Sequence, residues 1–240
     1  MNHAPESPTP GPETLCSRRE ALLSQIRNAT PDGLRTPVML LAVYKTRDAN
    51  CVRALAGCGQ RQFGENYVQE AMAKQAACVD LDLEWHLIGP LQSNKAKLAA
   101  EHFDWVQTVD RAKLVDALAR HRPAGRPPLN VLVQVNIDDE ASKSGCQPAD
   151  VAALAEAIAS QPRLRLRGLM AIPAPHPAPA DRIRAFEALR RLQQQLALDH
   201  PGVDTLSMGM SGDFELAIAH GATLVRVGTA LFGARPHRAA

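Results

Sequence analysis

Lys45 ends the apolar run Val38-Met39-Leu40-Leu41-Ala42-Val43-Tyr44 and is followed by polar Thr46-Arg47-Asp48. An amine at the rim of a core is either a solvated strand end or a placed nucleophile, because desolvation favours the neutral form that attacks a carbonyl. Much later, Leu206-Ser207-Met208-Gly209-Met210-Ser211-Gly212-Asp213 sets two serines and two glycines where a strand should pass into a helix. Small residues let backbone amides approach an anion, and a helix N-terminus adds partial positive charge. After the next apolar run, Gly228-Thr229 repeats the device. Either turn alone reads as ordinary punctuation. Both together, opposite a strand-terminal lysine, describe a cleft for a phosphorylated aldehyde or ketone.

These residues need a scaffold that brings distant strand ends to one place. Apolar runs alternate with alanine-rich helical stretches along the whole chain. Strands are expected at 38–45, 62–65, 84–89, 105–109, 130–137, 166–172, 205–208 and 223–227. Helices fall between them at 50–56, 68–77, 95–101, 112–120, 148–160, 180–199 and 213–220, after an opening amphipathic helix at 13–29. Eight parallel strands with intervening helices close most simply into a single (β/α)8 TIM barrel in the α/β class, here with an extra N-terminal helix. An open doubly wound sheet is disfavoured because no G-x-G-x-x-G follows the first strand. Residues 1–12, with four prolines, read as a disordered tail, which leaves 13–240 as one domain. The Pro-rich segments 122–128 and 173–179 read as loops.

In such a barrel the polar residues just past each strand converge on one mouth. Besides Lys45, these are Glu65-Asn66-Tyr67, His86, Gln92-Ser93-Asn94-Lys95, Asn136, Lys143-Ser144-Gly145, Met170, Ser207 to Ser211, and Arg226 with Gly228-Thr229. Asn66 and Ser93 also suit helix caps. His86, between Trp85 and Leu87, suits a hydrogen-bonded interior position better than a general base. Two chemistries remain open for the cleft: a Schiff-base aldolase acting on a sugar phosphate, and pyridoxal 5′-phosphate (PLP) tethered to a lysine.

Composition narrows the partners. With 27 basic against 25 acidic residues, the net charge of +2 gives no field for nucleic acid or a membrane surface, so any anion site must be local. Cys16, Cys51, Cys58, Cys78 and Cys146 are odd in number and lack C-x-x-C spacing, which argues against a disulfide framework and a zinc site and suits a reducing cytoplasm. No apolar run approaches the roughly 18 residues of a membrane span, and no signal-peptide pattern opens the chain.

Long ordered motifs connect the chain to a family. They are Ala42-Val43-Tyr44-Lys45, Phe63-Gly64-Glu65-Asn66-Tyr67-Val68-Gln69-Glu70, and Trp85-His86-Leu87-Ile88-Gly89-Pro90-Leu91-Gln92-Ser93-Asn94-Lys95. Val135-Asn136-Ile137, Lys143-Ser144-Gly145, Arg167-Gly168-Leu169-Met170, the run from Leu206 to Ser211 and the run from Val225 to Arg235 complete the series. From about residue 40 to residue 236 the chain resembles the YggS/PROSC group of pyridoxal-phosphate homeostasis proteins. The resemblance implies a barrel like the N-terminal domain of alanine racemase, with Lys45 joined to the cofactor aldehyde. It implies phosphate contacts from Ser207 and the Gly228-Thr229 turn, with Asn66 and Ser211 close by, and no catalytic residue; His86, from the mouth positions, is also expected at the cofactor. It further implies a monomer that buffers PLP and related B6 vitamers, delivers PLP to apo-enzymes, and affects amino-acid and keto-acid balance. Tyr44 stands where the family usually has serine, and Arg47-Asp48 replaces the commoner Lys-Pro. Strand alternation turns Tyr44 away from the face that carries Lys45.

A racemase-like arrangement puts Arg226 beside the pyridine nitrogen, where a fixed cation disfavours protonation and weakens the electron sink that many PLP enzymes use. The chain also ends soon after its eighth strand, whereas alanine racemase continues into a second domain that supplies an opposing tyrosine base. A carrier is therefore expected, with a PLP-dependent amino-acid racemase as the alternative.

Overall fold

The computed structural model describes residues 11–31, 37–43, 49–138, 144–174 and 178–233. Lys45, Tyr44, Arg47, Asp48, Lys143 and nearly all of the expected tail lie outside these residues. Strands β1 (Met39–Val43), β2 (Gln62–Glu65), β3 (Glu84–Leu87), β4 (Trp105–Val109), β5 (Leu129–Gln134), β6 (Leu164–Met170), β7 (Thr205–Met210) and β8 (Leu224–Val227) close into a barrel in sequence order. All neighbours pair in parallel, and Ala42 against Val227 joins the last strand to the first.

Both faces of such a sheet are covered, so its strands read as apolar runs whose alternate residues serve different layers. In β1, Met39, Leu41 and Val43 join Ile88 and Leu224 inside the barrel, whereas Leu40 and Ala42 pack outward. In β8, Leu224 faces inward while Val225 and Val227 join the outer layer. Helices α2 (Ala49–Gly57), α3 (Val68–Ala77), α4 (Ala96–His102), α5 (Ala112–His121), α6 (Val151–Ala159), α7 (Pro179–Asp199) and α8 (Phe214–Ala219) follow the strands and supply that layer. In α6, Val151, Leu154, Ala155 and Ile158 are buried, the i, i+3, i+4, i+7 stripe of a helix against a sheet.

The opening helix α1 runs Pro12–Ala29, one residue earlier than the expected start at 13. It packs on α2 and α8 and on the single-turn helix α9 (Thr229–Phe232), a turn the periodicity was too short to reveal. Pro179, expected in a loop, opens α7, where the missing N–H costs no helical bond.

The all-thiol expectation needs one correction. Cys16 on α1 and Cys58 just after α2 form a disulfide with Cα atoms 5.5 Å apart. Their separation of 42 residues hides a pairing that exists only once α1 lies along α2. Cys51, Cys78 and Cys146 are buried free thiols. Among the described residues there is no cluster suited to a metal ion, and no helix long and apolar enough to cross a membrane.

Candidate functional site

The strands deliver the expected residues to the barrel in two groups. The first lies at the mouth. β1 ends at Val43, whose carbonyl oxygen would meet a Cβ on Gly228 at 3.0 Å, so the end of β1 lies beside the turn after β8. That turn is linked to the turn after β7: Ser211 Oγ accepts from the Gly228 N–H at 3.3 Å and the Ala230 N–H at 3.4 Å. Thr229, between them, is exposed as the first residue of α9. The two glycine-bearing turns proposed from sequence are thus one structure.

Gly209 in the first of these turns has another cause than anion approach. Its φ of 88° is left-handed, and a Cβ there would stand 2.6 Å from the Ala217 Cβ. Close packing of α8 on the end of β7 requires the glycine.

Asn66 and the turn after β3 form the opposite rim. The expected capping roles are not used: α3 starts from Tyr67, and the single 3₁₀ turn Ser93–Lys95 starts from Gln92, in both cases without a side-chain cap bond. Asn66 Oδ1 is buried and has no hydrogen-bond partner among the described residues. An orphaned buried carbonyl oxygen costs about 1–3 kcal/mol unless something else supplies a donor. Gly89 makes this rim possible, since a Cβ there would be 2.1 Å from the Asn66 carbonyl oxygen. Glu65 points the other way, outward to Lys74 at 2.6 Å, and burial lifts its carboxyl to about 7 although Lys74 pulls it down. Asn136 is buried beside Gly145, while Met170 packs inside the barrel on Trp105 and Leu132.

The second group lies in the barrel wall below the mouth. Arg226 is buried, with Nη1 donating to Ser207 Oγ at 2.7 Å and to the Ser207 carbonyl at 2.9 Å, and Nη2 donating to the Ala171 carbonyl at 2.8 Å. Desolvation lowers its pKa to about 10, with Asp213 opposing, so it stays cationic at neutral pH. Ser207, expected at phosphate, is fully buried and gives its only proton to Gln107 Oε1 at 2.7 Å. Its hydroxyl hydrogen-bonds Arg226 and Gln107, while Ser211 is the serine that joins the two turns.

His86 is completely buried and stacked on Trp105, with ring centroids 5.1 Å apart and planes 8° apart. Its Nδ1 lies 2.9 Å from Gln107 Nε2 and its Nε2 2.9 Å from Glu84 Oε1. Desolvation lowers the His86 pKa despite Glu84, so the contact joins a neutral ring to a carboxylate. Gln107 and Glu84 were not singled out from the sequence. Alternation through Trp105-Val106-Gln107 already places Gln107 on the inward face beside Trp105.

The model described as the alanine racemase N-terminal domain matches residues 21–236. A pyridoxal phosphate homeostasis protein of Pseudomonas aeruginosa is 55% identical over 228 residues, covering 94% of this chain and 98% of that one. PipY of Synechococcus elongatus, solved with PLP bound, is 38% identical at a TM-score of 0.79, covering 91% of this chain and 100% of that one. Alanine racemase of Corynebacterium glutamicum, 18% identical at a TM-score of 0.68, shares the fold, and the match covers 95% of this chain and 63% of the racemase. With a family model over most of its length and a relative more than half identical, the chain belongs to the pyridoxal phosphate homeostasis proteins, within the family of the alanine racemase N-terminal domain.

Proposed function

We propose that this chain binds PLP at the mouth of the barrel and serves PLP homeostasis, holding and releasing the cofactor rather than turning over a substrate. The observation that carries the reading is the pairing of a buried Arg226 guanidinium with the joined Ser211 and Gly228 turns at one end of one barrel. Kinship with proteins named for PLP homeostasis supports it.

The residues present fit the cofactor. The Gly228 and Ala230 amides, held by Ser211 Oγ only at 3.3 and 3.4 Å, are donors suited to a phosphate, with the Thr229 hydroxyl between them. Asn66 Oδ1 lacks a donor among the described residues, and a ring hydroxyl is one. Lys45, outside the described residues, stands two positions after Val43 in the sequence and is the amine proposed to join the cofactor aldehyde. Among the described residues Arg226 has no carboxylate partner in direct contact, and its Nε–H and second Nη2 hydrogen have no acceptor there, so they are available to a ring nitrogen.

When bound, PLP supplies an aldehyde that condenses reversibly with amines and a pyridine ring able to accept electron density. With the cofactor bound, Arg226 would disfavour a proton on that ring nitrogen, since two neighbouring cations repel, and so would weaken the electron sink. A weakened electron sink supports holding the cofactor over turnover. The same reading has a cytoplasmic monomer that passes the cofactor to PLP-dependent apo-enzymes.

Titration of the purified protein with PLP tests the binding, and chiral analysis of alanine after long incubation tests the absence of racemisation. The expected result is a saturable visible band at one PLP per chain without D/L interconversion. Absence of the band overturns the binding, and racemisation at ordinary enzymatic rates overturns the carrier role.

A further inference from the structure

Arg226 is a cation buried in the barrel wall, where an uncompensated charge is costly. No carboxylate among the described residues touches it, but an unbroken line of side chains leads away from it through Ser207, Gln107 and His86 to Glu84. The direction of every bond on that line is determined by its ends. A guanidinium only donates, so Ser207 Oγ accepts and its own proton goes to Gln107 Oε1. The Gln107 amide then presents Nε2 to His86, which makes Nδ1 the acceptor and places the ring proton on Nε2, facing Glu84 Oε1. A reversed Gln107 would require a proton on Nδ1, and a neutral ring would then set a bare Nε2 against the carboxylate. Trp105 stacks on the ring and limits its rotation.

We infer that Glu84 and Gln107 are positioning residues for Arg226: acting through His86 and Ser207, they orient the guanidinium toward the ring end of the cofactor. The inference rests on the PLP reading above and adds residues that lie away from the mouth. Hydrogen bonds in such a chain polarise one another, so the carboxylate at one end strengthens the grip on the cation at the other.

Two readouts separate this inference from the cofactor reading. In cofactor-free protein, ¹⁵N spectra of the imidazoles, assigned with His86→Gln, should show His86 as the Nε2–H tautomer. An Nδ1–H or doubly protonated ring at neutral pH overturns the line whether or not PLP binds. In PLP-loaded protein, Gln107→Leu and Glu84→Leu should lower the pH midpoint of the visible band by about half a unit or more at unchanged stoichiometry, because a loosened Arg226 lets the ring nitrogen gain a proton. Glu84→Gln, which keeps an oxygen acceptor, should return the midpoint toward wild type. The Glu84 side chain is 34% exposed, so its variants are expected to fold even if Gln107→Leu does not. A lower melting temperature with the midpoint unmoved in Glu84→Leu would mean a structural role only, and overturns the inference.

Discussion

Ser207→Ala separates a wall residue from a phosphate ligand. The Ser207 hydroxyl is fully buried, donates to Gln107 Oε1 at 2.7 Å and accepts from Arg226 Nη1 at 2.7 Å. Its removal strands a buried amide oxygen and takes one bond from a buried cation, and each such loss costs about 1–3 kcal/mol. The loss at Arg226 is partial, because the bond to the Ser207 main-chain oxygen at 2.9 Å survives the substitution. The sum is about 2–3 kcal/mol, and at about 2–4 °C per kcal/mol for a chain of this size the melting temperature should fall by roughly 5–10 °C. Thermal unfolding of the cofactor-free protein, with urea titration for the free energy, reads this directly. Ser211→Ala is the contrast. Its oxygen meets two amides at 3.3 and 3.4 Å, long enough that stability should change by under ~0.5 kcal/mol while PLP affinity changes. A Ser207→Ala melting temperature within about 1 °C of wild type would refute the reasoning, for no buried hydroxyl with two partners should be that cheap to remove.

Reduction of Cys16–Cys58, which closes a loop of 42 residues, should remove about 4 kcal/mol in the chain-entropy model and lower the melting temperature by roughly 10 °C; full titration of the thiols with no change in melting contradicts the bridge. The folded state binds the Glu65 proton more tightly than the unfolded chain, so stability present below about pH 4.5 should be lost as pH rises toward about 7. Glu65→Gln should flatten that limb of the pH–stability curve, and an unchanged slope would show that Lys74 keeps the carboxyl ionised. Gly89→Ala would set a Cβ 2.1 Å from the Asn66 carbonyl oxygen and push that rim aside, weakening PLP binding by about tenfold with the fold intact; wild-type affinity on PLP titration counts against Asn66 at the site.

The barrel was legible because its strands are buried on both faces, and such strands show as apolar runs whatever their partners. Arg226 could be read as interior from its place between Val225 and Val227. What Ser207 touches could not, because alternation gives a face but not the residue across the barrel, 100 positions away in the case of Gln107. Asn66 and Ser93 carry the residue types of helix caps, yet both helical segments start one residue away from the position a cap requires. The Cys16–Cys58 pair depends on where a helix outside the repeating pattern docks, which no local spacing encodes.

Lys45 is the residue proposed to join the cofactor. Borohydride reduction of the PLP-loaded protein followed by peptide mapping tests it most directly. One stable label is expected, on the peptide containing Lys45, with its loss in Lys45→Ala. A label on any other lysine, or an undiminished label in that variant, would contradict it.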